Sequence, residues 1–303
     1  MGENRFGAVA VGNFDGVHRG HAALIAELRR RARDVNGPAV AVTFDPHPIA
    51  LLAPERLLPL LTTVADREKL LEAAGADAVV RLVTTRDLLN LEPRAFLDNV
   101  LGAQLAVRAV VEGFNFRFGK DRAGSNELLA SWCREHNVKF DIVSPFQWNN
   151  ITVSSSQVRS ALENGDVAAA ADLLGRPYRL RGTVGVGAKR GHSLGFPTAN
   201  LAKPETLVPG DGVYAGRAWL TDRSDWPAAV NIGPNPTFGE QIRKVEAHLI
   251  GFAGNLYGQA MAIDFVARLR DTKKFAHADE LKTQLDIDIH LAASVAAATS
   301  AAK

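Results

Sequence analysis

Residues 7–34 decide the fold of the N-terminal half and read GAVAVGNFDGVHRGHAALIAELRRRARD. Residues 7–13 are apolar and form a short run, which predicts a buried strand. Residues 21–34 predict a helix, because their apolar side chains recur every three to four positions. Residues 39–44, AVAVTF, predict the next strand. A strand, a helix and a second strand in this order are the repeating unit of a parallel sheet.

The same alternation continues to residue 146. Further helices are predicted at 64–74, 94–105 and 126–136, and further strands at 76–83, 106–114 and 139–146. The fold class of this half is therefore α/β, with a doubly wound parallel sheet. Ligands of such sheets bind beyond the carboxyl ends of the strands.

The sequence pattern changes at Tyr178. Two short helices are predicted within residues 154–178, and Gly175 and Pro177 end them. Beyond that point glycine and proline are frequent and short apolar runs follow one another closely, which predicts a small β-barrel. One closing helix is predicted at residues 277–294.

Length and pattern together predict two domains. They are residues 1–178 and residues 179–291, followed by an alanine-rich tail of residues 292–303 that is expected to fray. A chain of 303 residues is long enough for two hydrophobic cores.

Composition narrows the class of protein. Lysine and arginine number 35 and aspartate and glutamate 33, so the net charge of +2 argues against a nucleic-acid partner. Cys133 is the one cysteine, which excludes an internal disulfide and a multi-cysteine metal cluster and fits a reducing cytoplasm. The chain has no run of about 18 apolar residues, and no apolar signal segment precedes Asp15. We expect a cytoplasmic protein with no membrane partner.

The segment GNFDGVHRGH, residues 12–21, follows the first strand and opens the first helix. Gly12 and Gly16 allow the backbone to approach a ligand closely. His18 and His21 are three positions apart, so they face the same side of one helical turn. Two imidazoles beside the free N–H groups of a helix N-terminus suit a triphosphate. A tight turn with a helix cap is the ordinary alternative, and a zinc site lacks cysteine partners and a clear third ligand.

Two further segments carry polar groups at the ends of predicted elements. In GFNFRFG, residues 113–119, Asn115 lies between Phe114 and Phe116, where aromatic rings can flank a planar ligand. The alternative is a strand end with two core phenylalanines. Ser155, Ser156 and Arg159 at a helix start suit a polyphosphate, although an N-cap alone explains the serines.

GNFDGVHRGH resembles the G-x-F-D-G-x-H-x-G-H signature of the bacterial bifunctional riboflavin kinase/FAD synthetase family. TFDPHP (43–48), GFNFRFGKDRAG (113–124) and VSSSQVR (153–159) are similar to three further segments of that family. The resemblance implies a nucleotidyltransferase domain in which His18 and His21 act on ATP. Ser156 stands where the family usually has threonine, and Gln157 where it commonly has arginine.

A second glycine-rich segment, GTVGVGAKRGHSLGFPTAN, covers residues 182–200. It matches neither of the two common nucleotide-binding glycine motifs, and its spacing alone predicts a β-hairpin. Thr198 and Asn200 place two neutral oxygens on one face of an extended segment, which suits Mg²⁺ bound with ATP. Its glycines and cations are able to wrap a phosphate chain, and they are Gly187, Lys189, Arg190 and Gly191.

LGFPTANL (194–201), NIGPNPTF (231–238) and VEAHL (245–249) resemble the flavokinase segments of the same family. The resemblance implies that Thr198 and Asn200 help to bind Mg²⁺–ATP and that Glu246 is the catalytic base. It also implies a flavokinase-like barrel. LYG (256–258) and LRDTKKF (269–275) resemble the flavin-side segments. His192 stands where the family commonly has arginine, and Thr272 stands where it frequently has an acidic residue.

The resemblance therefore implies an enzyme that phosphorylates riboflavin to FMN and then transfers AMP from ATP to FMN, giving FAD and pyrophosphate. The expected ATP contacts in the first domain are Gly12, Phe14, Asp15, Gly16, Ser155, Ser156 and Arg159, and the expected flavin contacts are Asn115, Phe116 and Arg270. Riboflavin, FMN and ATP are the expected partners, and weak self-association stays open. Two alternatives remain: an adenylyltransferase without kinase activity, and a non-catalytic flavin-binding protein on the same scaffold.

Overall fold

The computed structural model describes residues 7–185, 196–234 and 242–301. Internal contacts divide the chain into two compact units, Met1–Ser154 and Ser155–Lys303. We call them the sheet unit and the barrel unit.

The sheet unit contains a five-stranded parallel sheet in the order β3-β2-β1-β4-β5. Its strands are β1 (Ala8–Val11), β2 (Ala39–Asp45), β3 (Ala78–Val83), β4 (Ala109–Gly113) and β5 (Lys139–Val143). Its helices are α1 (Arg19–Asp34), α2 (Ile49–Leu52), α3 (Val64–Ala73), α4 (Arg86–Leu89), α5 (Pro93–Phe96) and α6 (Asn126–Glu135), and the π-helical turn Leu97–Gln104 continues α5. A hairpin of β6 (Gln147–Trp148) and β7 (Ile151–Thr152) follows. The predicted doubly wound parallel sheet is confirmed.

Alternating side chains of the central strands enter two different cores. Ala8 and Ala10 lie on the face covered by α1, where Ile25 is fully buried. Val9 and Val11 lie on the opposite face, in a cluster with helical residues such as Leu129 and Trp132. Because both faces are covered, β1 and β2 are nearly continuous apolar runs, as expected of buried parallel strands.

The order of the strands locates a crevice. From β1 the chain builds outward through β2 and β3, and it then crosses over to add β4 and β5 on the other side of β1. The boundary between β1 and β4 is therefore the topological switch point of the sheet. Sheets of this kind bind ligands in the crevice at that point, outside the carboxyl ends of the strands.

The barrel unit begins with two helices and closes with one. Its six described strands form a closed antiparallel barrel in the order β10-β11-β12-β9-β8-β13. They are β8 (Tyr178–Gly185), β9 (Ala199–Ala202), β10 (Gly212–Trp219), β11 (Asp225–Gly233), β12 (Lys244–Leu249) and β13 (Ala260–Arg270), and the helices are α7 (Ser155–Glu163), α8 (Val167–Leu174) and α9 (Ala278–Ala301). The predicted small barrel and closing helix are confirmed.

The division between the units falls between Ser154 and Ser155, because α7 and α8 pack together and α8 packs on β8 and β13. As predicted, Gly175 ends α8, in the left-handed conformation with φ of 78°. The domain boundary that the sequence predicts at Tyr178 stays a prediction. It concerns which fragments of the chain fold on their own.

The expectation of a frayed tail after residue 291 is wrong. Helix α9 continues to Ala301, and Ala292 and Ala296 are fully buried. Arg217 of β10 donates a hydrogen bond to the carbonyl of Ala296 at 3.3 Å. Alanine has the highest helix propensity, and its small side chain lets the helix pack closely on the barrel strands.

Candidate active sites

The histidine loop, residues 12–18, connects β1 to α1. His18 is the N-cap of α1, and its Nδ1 accepts a hydrogen bond from the backbone N–H of His21 at 3.3 Å. The two imidazoles stack with their centroids 3.7 Å apart and an interplanar angle of 14°. The prediction that both rings share one side of the first turn is confirmed. They stand at the positive end of a 16-residue helix, beyond the carboxyl end of β1.

The capping bond also indicates which ring nitrogen of His18 carries a proton. An Nδ1 that accepts a hydrogen bond carries no proton, so neutral His18 carries its N–H at Nε2. His18 is buried, with 6% of its surface exposed. The loop therefore holds a fixed hydrogen-bond donor.

Phe14 supports the histidine pair from within the loop. Its φ of 48° turns the backbone sharply, and its buried ring meets the ring of His21 edge-on at 5.2 Å between centroids. A Cβ on Gly12 would lie only 3.3 Å from this ring. Gly12 thus leaves the space that Phe14 fills. This geometry makes Phe14 a packing partner of His21.

Asp15 anchors the loop to a segment far along the chain. Its buried carboxylate accepts hydrogen bonds from the N–H groups of Leu61 and Thr62, at 2.9 and 3.2 Å, and from the Thr62 hydroxyl. The N–H of Gly16 donates to the same hydroxyl at 3.2 Å. These hydrogen bonds hold the loop in place, and the predicted ATP contact of Asp15 stays a prediction.

Arg67 is buried beside Asp15, with its guanidinium 3.8 Å from the carboxylate. It also donates to the Thr43 hydroxyl at 3.3 Å, and that hydroxyl donates to the carbonyl of Asn13. Burial lowers the pKa of Arg67, while the charge of Asp15 favours the cation. The sequence analysis missed Thr62 and Arg67, because their link to the histidine loop is tertiary.

The aromatic loop, residues 113–118, leaves β4 at the other side of the crevice. Phe114 and Asn115 are exposed, whereas Phe116 is half-buried and stacks on Phe118 at 5.4 Å. Phe118 is part of the core. Asn126, the first residue of α6, donates from Nδ2 to the carbonyls of residues 113 and 114, at 3.1 and 3.0 Å. The expected pair of rings around Asn115 is therefore not formed, because Phe116 packs on the core.

Two other predicted segments have local roles as well. His47 accepts the N–H of Ile49 at 3.2 Å and so closes the turn before α2. Ser155 and Ser156 begin α7, and Arg159 lies one turn further along the same helix. Arg159 lies within one helical turn of each serine, near the N-terminus of α7 in the barrel unit.

Three polar residues of the barrel stand in cross-strand register. Glu246 on β12 is paired with Asn200 on β9 and with Asn231 on β11. Directly paired residues project to the same face of a sheet. The alternate residues of β12, Val245 and Ala247, are buried in the core, so the polar row lies on the outer face. The sequence analysis missed Asn231.

His248 lies two residues beyond Glu246 on the same face of β12. Its Nδ1 is 2.8 Å from the carbonyl oxygen of Pro197, and its ring meets Phe196 edge-on at 6.0 Å. The segment before Thr198 is therefore tied to the strand that carries Glu246. These two histidine contacts fix where β9 begins.

A cavity of about 390 Å³ adjoins this polar row. Asn200 lines it together with Lys203, Lys244 and Arg243, and the Arg243 guanidinium is paired with Asp211 at 2.6 Å and also donates to the Pro209 carbonyl. The predicted phosphate contacts Gly187, Lys189, Arg190 and Gly191, and the departure at His192, lie outside the described residues. Among the described residues of this site, those that line the cavity carry the positive charge needed to bind an anion.

Arg270 is committed to a structural ion pair. Its guanidinium contacts the buried carboxylate of Asp288 at 2.6 to 3.1 Å and so joins β13 to α9. Thr272 is half-buried, and a Cβ on Gly233 would lie 3.2 Å from its methyl group. The predicted contact between Arg270 and the flavin therefore requires that the Arg270 guanidinium bind the flavin while it stays paired with Asp288.

Within the described ranges no three His, Cys, Asp or Glu side chains cluster to hold a metal ion, so the zinc alternative for His18 and His21 gains no support. The outer barrel row is more suitable for Mg²⁺, because Asn200 and Asn231 carry neutral oxygen atoms of the kind that this ion binds.

Comparison with known proteins decides the family. A family model described as FAD synthetase matches residues 2–157, and one described as riboflavin kinase matches residues 174–296. A curated protein of Pseudomonas fluorescens, named bifunctional riboflavin kinase/FMN adenylyltransferase, is 36% identical over 97% of this chain and 94% of its own length. The chain belongs to the bifunctional riboflavin kinase/FAD synthetase family.

Two further relatives of this bifunctional enzyme carry the same name. The protein of Escherichia coli strain K12 is 33% identical over 92% of this chain and 90% of its own. The protein of Bacillus subtilis strain 168 is 33% identical over 92% of this chain and 89% of its own. The chain is thus an enzyme with two activities, riboflavin kinase and FAD synthetase.

A solved structure matches both units of the bifunctional enzyme. It is a crystal structure of a protein from Streptococcus pneumoniae named macrolide-efflux protein. The TM-score is 0.86 and the identity 30%, over 95% of this chain and 94% of that one. Every helix within the described ranges is too short or too polar to cross a lipid bilayer.

Proposed function

We propose that the two steps of FAD synthesis take place in different units of this chain. The barrel unit phosphorylates riboflavin, and the sheet unit transfers AMP from ATP to the resulting FMN. The observation that carries the proposal is the stacked pair of His18 and His21 at the N-terminus of α1, beyond the carboxyl end of β1. This pair supports the proposal, because a parallel sheet binds nucleotides at that end and His18 Nε2–H is a hydrogen-bond donor there.

In the sheet unit a phosphate oxygen of FMN attacks the α-phosphorus of ATP. A new P–O bond forms, the bond to the β-phosphate breaks, and pyrophosphate leaves. His18, through Nε2–H, and His21 donate hydrogen bonds to the phosphate oxygens on which negative charge increases. The N-terminus of α1 adds its partial positive charge. No covalent enzyme intermediate is needed, because position and charge stabilisation suffice.

Asn115 and the helix-start residues complete this proposal. Asn115 is exposed beside the crevice and is available to a flavin. Ser155, Ser156 and Arg159 present hydroxyls and a guanidinium at the start of α7. We assign the flavin to Asn115, as the family resemblance implies. The same resemblance implies that the three helix-start residues contact ATP phosphates, and that role stays a prediction.

In the barrel unit the 5′-hydroxyl of riboflavin attacks the γ-phosphorus of ATP, and ADP leaves. Glu246 accepts the hydroxyl proton as the new P–O bond forms. Thr198 and Asn200 hold the metal–ATP complex, and Asn231 completes the polar row. Mg²⁺, when bound with ATP, neutralises negative charge on the phosphates. The basic cavity of Lys203, Arg243 and Lys244 receives the polyphosphate.

The setting of the enzyme is also a proposal. Burial raises the pKa of the Cys133 thiol to about 12, so this cysteine stays protonated and unreactive. A cytoplasmic setting is proposed because a single cysteine cannot form an internal disulfide. Riboflavin, FMN and ATP are the proposed partners, with neither nucleic acid nor membrane.

The test is a product time course on the whole chain with riboflavin, ATP and Mg²⁺, separated by chromatography. FMN is expected first and FAD second, and a chelator in place of Mg²⁺ is expected to stop FMN formation. FAD from supplied FMN without any FMN from riboflavin would instead indicate an adenylyltransferase without kinase activity. Flavin binding without either product would indicate a binding protein.

A further inference from the structure

A buried carboxyl lies at the switch point of the sheet and has no part in the chemistry described above. Glu112 is the fourth residue of β4, and only 2% of its surface is exposed. Its Oε1 accepts the backbone N–H of Val11 at 2.7 Å. Val11 ends β1, and the histidine loop begins at the next residue.

This bond takes the place of a backbone hydrogen bond between β1 and β4. Residue pairing between β1 and β4 covers Ala8–Ala109 and Val9–Val110, and it ends there. On the opposite side of β1 the pairing with β2 continues to Val11, and the N–H of Gly12 still donates to a β2 carbonyl. The N–H of Val11 faces β4, where a side-chain carboxyl takes the place of a backbone carbonyl.

The two strands therefore separate at their carboxyl ends with a carboxyl group between them. β1 leads to His18 and His21, and β4 leads directly to the aromatic loop. The start of that loop is fixed as well, because Asn126 donates hydrogen bonds to the carbonyls of residues 113 and 114. The length of one glutamate side chain thus sets the spacing between the two loops.

We propose that Glu112 is a positioning residue for adenylyl transfer, which sets the distance between the histidine loop and the aromatic loop by its bond to Val11. The inference rests on the proposed function of the sheet unit, where these loops bind ATP and the flavin. Misplacing reacting groups by about 1 Å costs up to roughly a hundredfold in rate. Loss of the bond should therefore lower turnover more than it changes the binding of either substrate.

The protonation state of the Glu112 carboxyl decides which substitution is the conservative one. Burial raises the pKa of Glu112 well above its usual range, which favours the neutral acid. Glutamine has the same length, is neutral and keeps a carbonyl oxygen as acceptor. Aspartate keeps the carboxyl but is one methylene too short for Val11, and valine removes the acceptor.

The experiment compares Glu112→Gln, Glu112→Asp and Glu112→Val by steady-state kinetics of FAD formation from supplied FMN. We expect Glu112→Gln to retain the kcat of the parent, and the other two to lower it about tenfold to a hundredfold while KM for ATP changes little. FMN formation from riboflavin, measured on the same preparations, should not change.

A matched control separates positioning from stability. Val110→Ala removes a fully buried side chain from the same strand and leaves the bond to Val11 intact. It should destabilise the sheet unit in urea yet keep the kcat of FAD formation. Kinetics are run at a temperature where circular dichroism shows each variant native.

Three results would overturn the proposal. The first is a folded Glu112→Val or Glu112→Asp with a kcat near that of the parent. The second is a Val110→Ala that is as slow as Glu112→Val. The third is failure of both Glu112→Val and Glu112→Asp to fold, which would assign the bond to stability alone. The proposed function is tested apart from this by His21→Ala. If that variant forms FAD normally, the site itself is misassigned.

Discussion

In the sheet unit the two candidate catalytic histidines lie within one stretch of sequence, whereas the polar row of the barrel unit is assembled from three strands. His18 and His21 follow β1 directly and share one helical turn. Asn200, Asn231 and Glu246 come from β9, β11 and β12 and meet only through strand register. The first site uses backbone donors and imidazoles, while the second uses side-chain oxygens. Under the proposed function, phosphate chemistry would be supported once by a helix N-terminus and once by a sheet face.

The largest expected effect concerns the barrel site. Glu246→Gln keeps the size of the side chain and removes the base, so FMN formation should fall roughly 10²- to 10⁴-fold. Conversion of supplied FMN to FAD should be unchanged, because that site lies in the other unit. Steady-state kinetics of both reactions on one preparation measure this. Near-normal FMN formation would leave Glu246 as an ordinary strand residue.

The corresponding change in the sheet unit is His21→Ala. Removing one preorganised donor should lower the kcat of FAD formation about 10²- to 10³-fold. The N–H that caps onto His18 belongs to the backbone of residue 21 and remains. FMN formation should continue at the parent rate. An equal loss of both products would contradict the separation of the two sites.

A third change tests how the histidine loop is held. Asp15→Ala leaves the N–H groups of Leu61 and Thr62 without their acceptor and the buried Arg67 without its counter-charge. Breaking a buried ion pair in this way costs about 3 to 5 kcal/mol. Urea unfolding should show the sheet unit weakened, and kinase activity should persist at urea concentrations where FAD formation is lost. A variant of unchanged stability would refute the anchoring role.

The smallest effect is a pH dependence. The pKa of Glu112 is raised in the folded chain, so its contribution to stability is present below the pKa of the unfolded carboxyl and is lost as pH rises through the folded value. Glutamine has no proton to lose. Glu112→Gln should therefore become steadily more stable than the parent as pH increases, measured by urea unfolding across a pH series. A constant difference would contradict the raised pKa.

The contrast between the units also explains what the sequence was able to predict. The alternation of strands and helices, the barrel and the histidine pair are local patterns, and each was predicted from residues close together in the chain. Thr62, Arg67 and Asn231 were missed, because their contacts depend on tertiary packing or strand register. The alanine-rich tail was misjudged for the same reason, since the barrel surface buries Ala292 and Ala296.

Phe116 and Arg270 show that a predicted ligand contact can also have a structural partner, and their flavin contacts stay predictions. Both positions match family segments, yet Phe116 stacks on Phe118 and Arg270 is paired with Asp288. A motif match specifies the residue type but not which of its possible partners it contacts. Only the packing around each side chain decides between a ligand contact and a structural one.

The most direct test of two separate sites is complementation between the two catalytic variants. Purified His21→Ala and Glu246→Gln are incubated with riboflavin, ATP and Mg²⁺, first separately and then mixed, and the flavins are separated by chromatography. Alone, His21→Ala should stop at FMN, and Glu246→Gln should leave riboflavin unconverted. The mixture should make FAD, because FMN released by the first variant is a substrate for the second. Absence of FAD from the mixture, while each variant performs its remaining half-reaction, would contradict two independent sites.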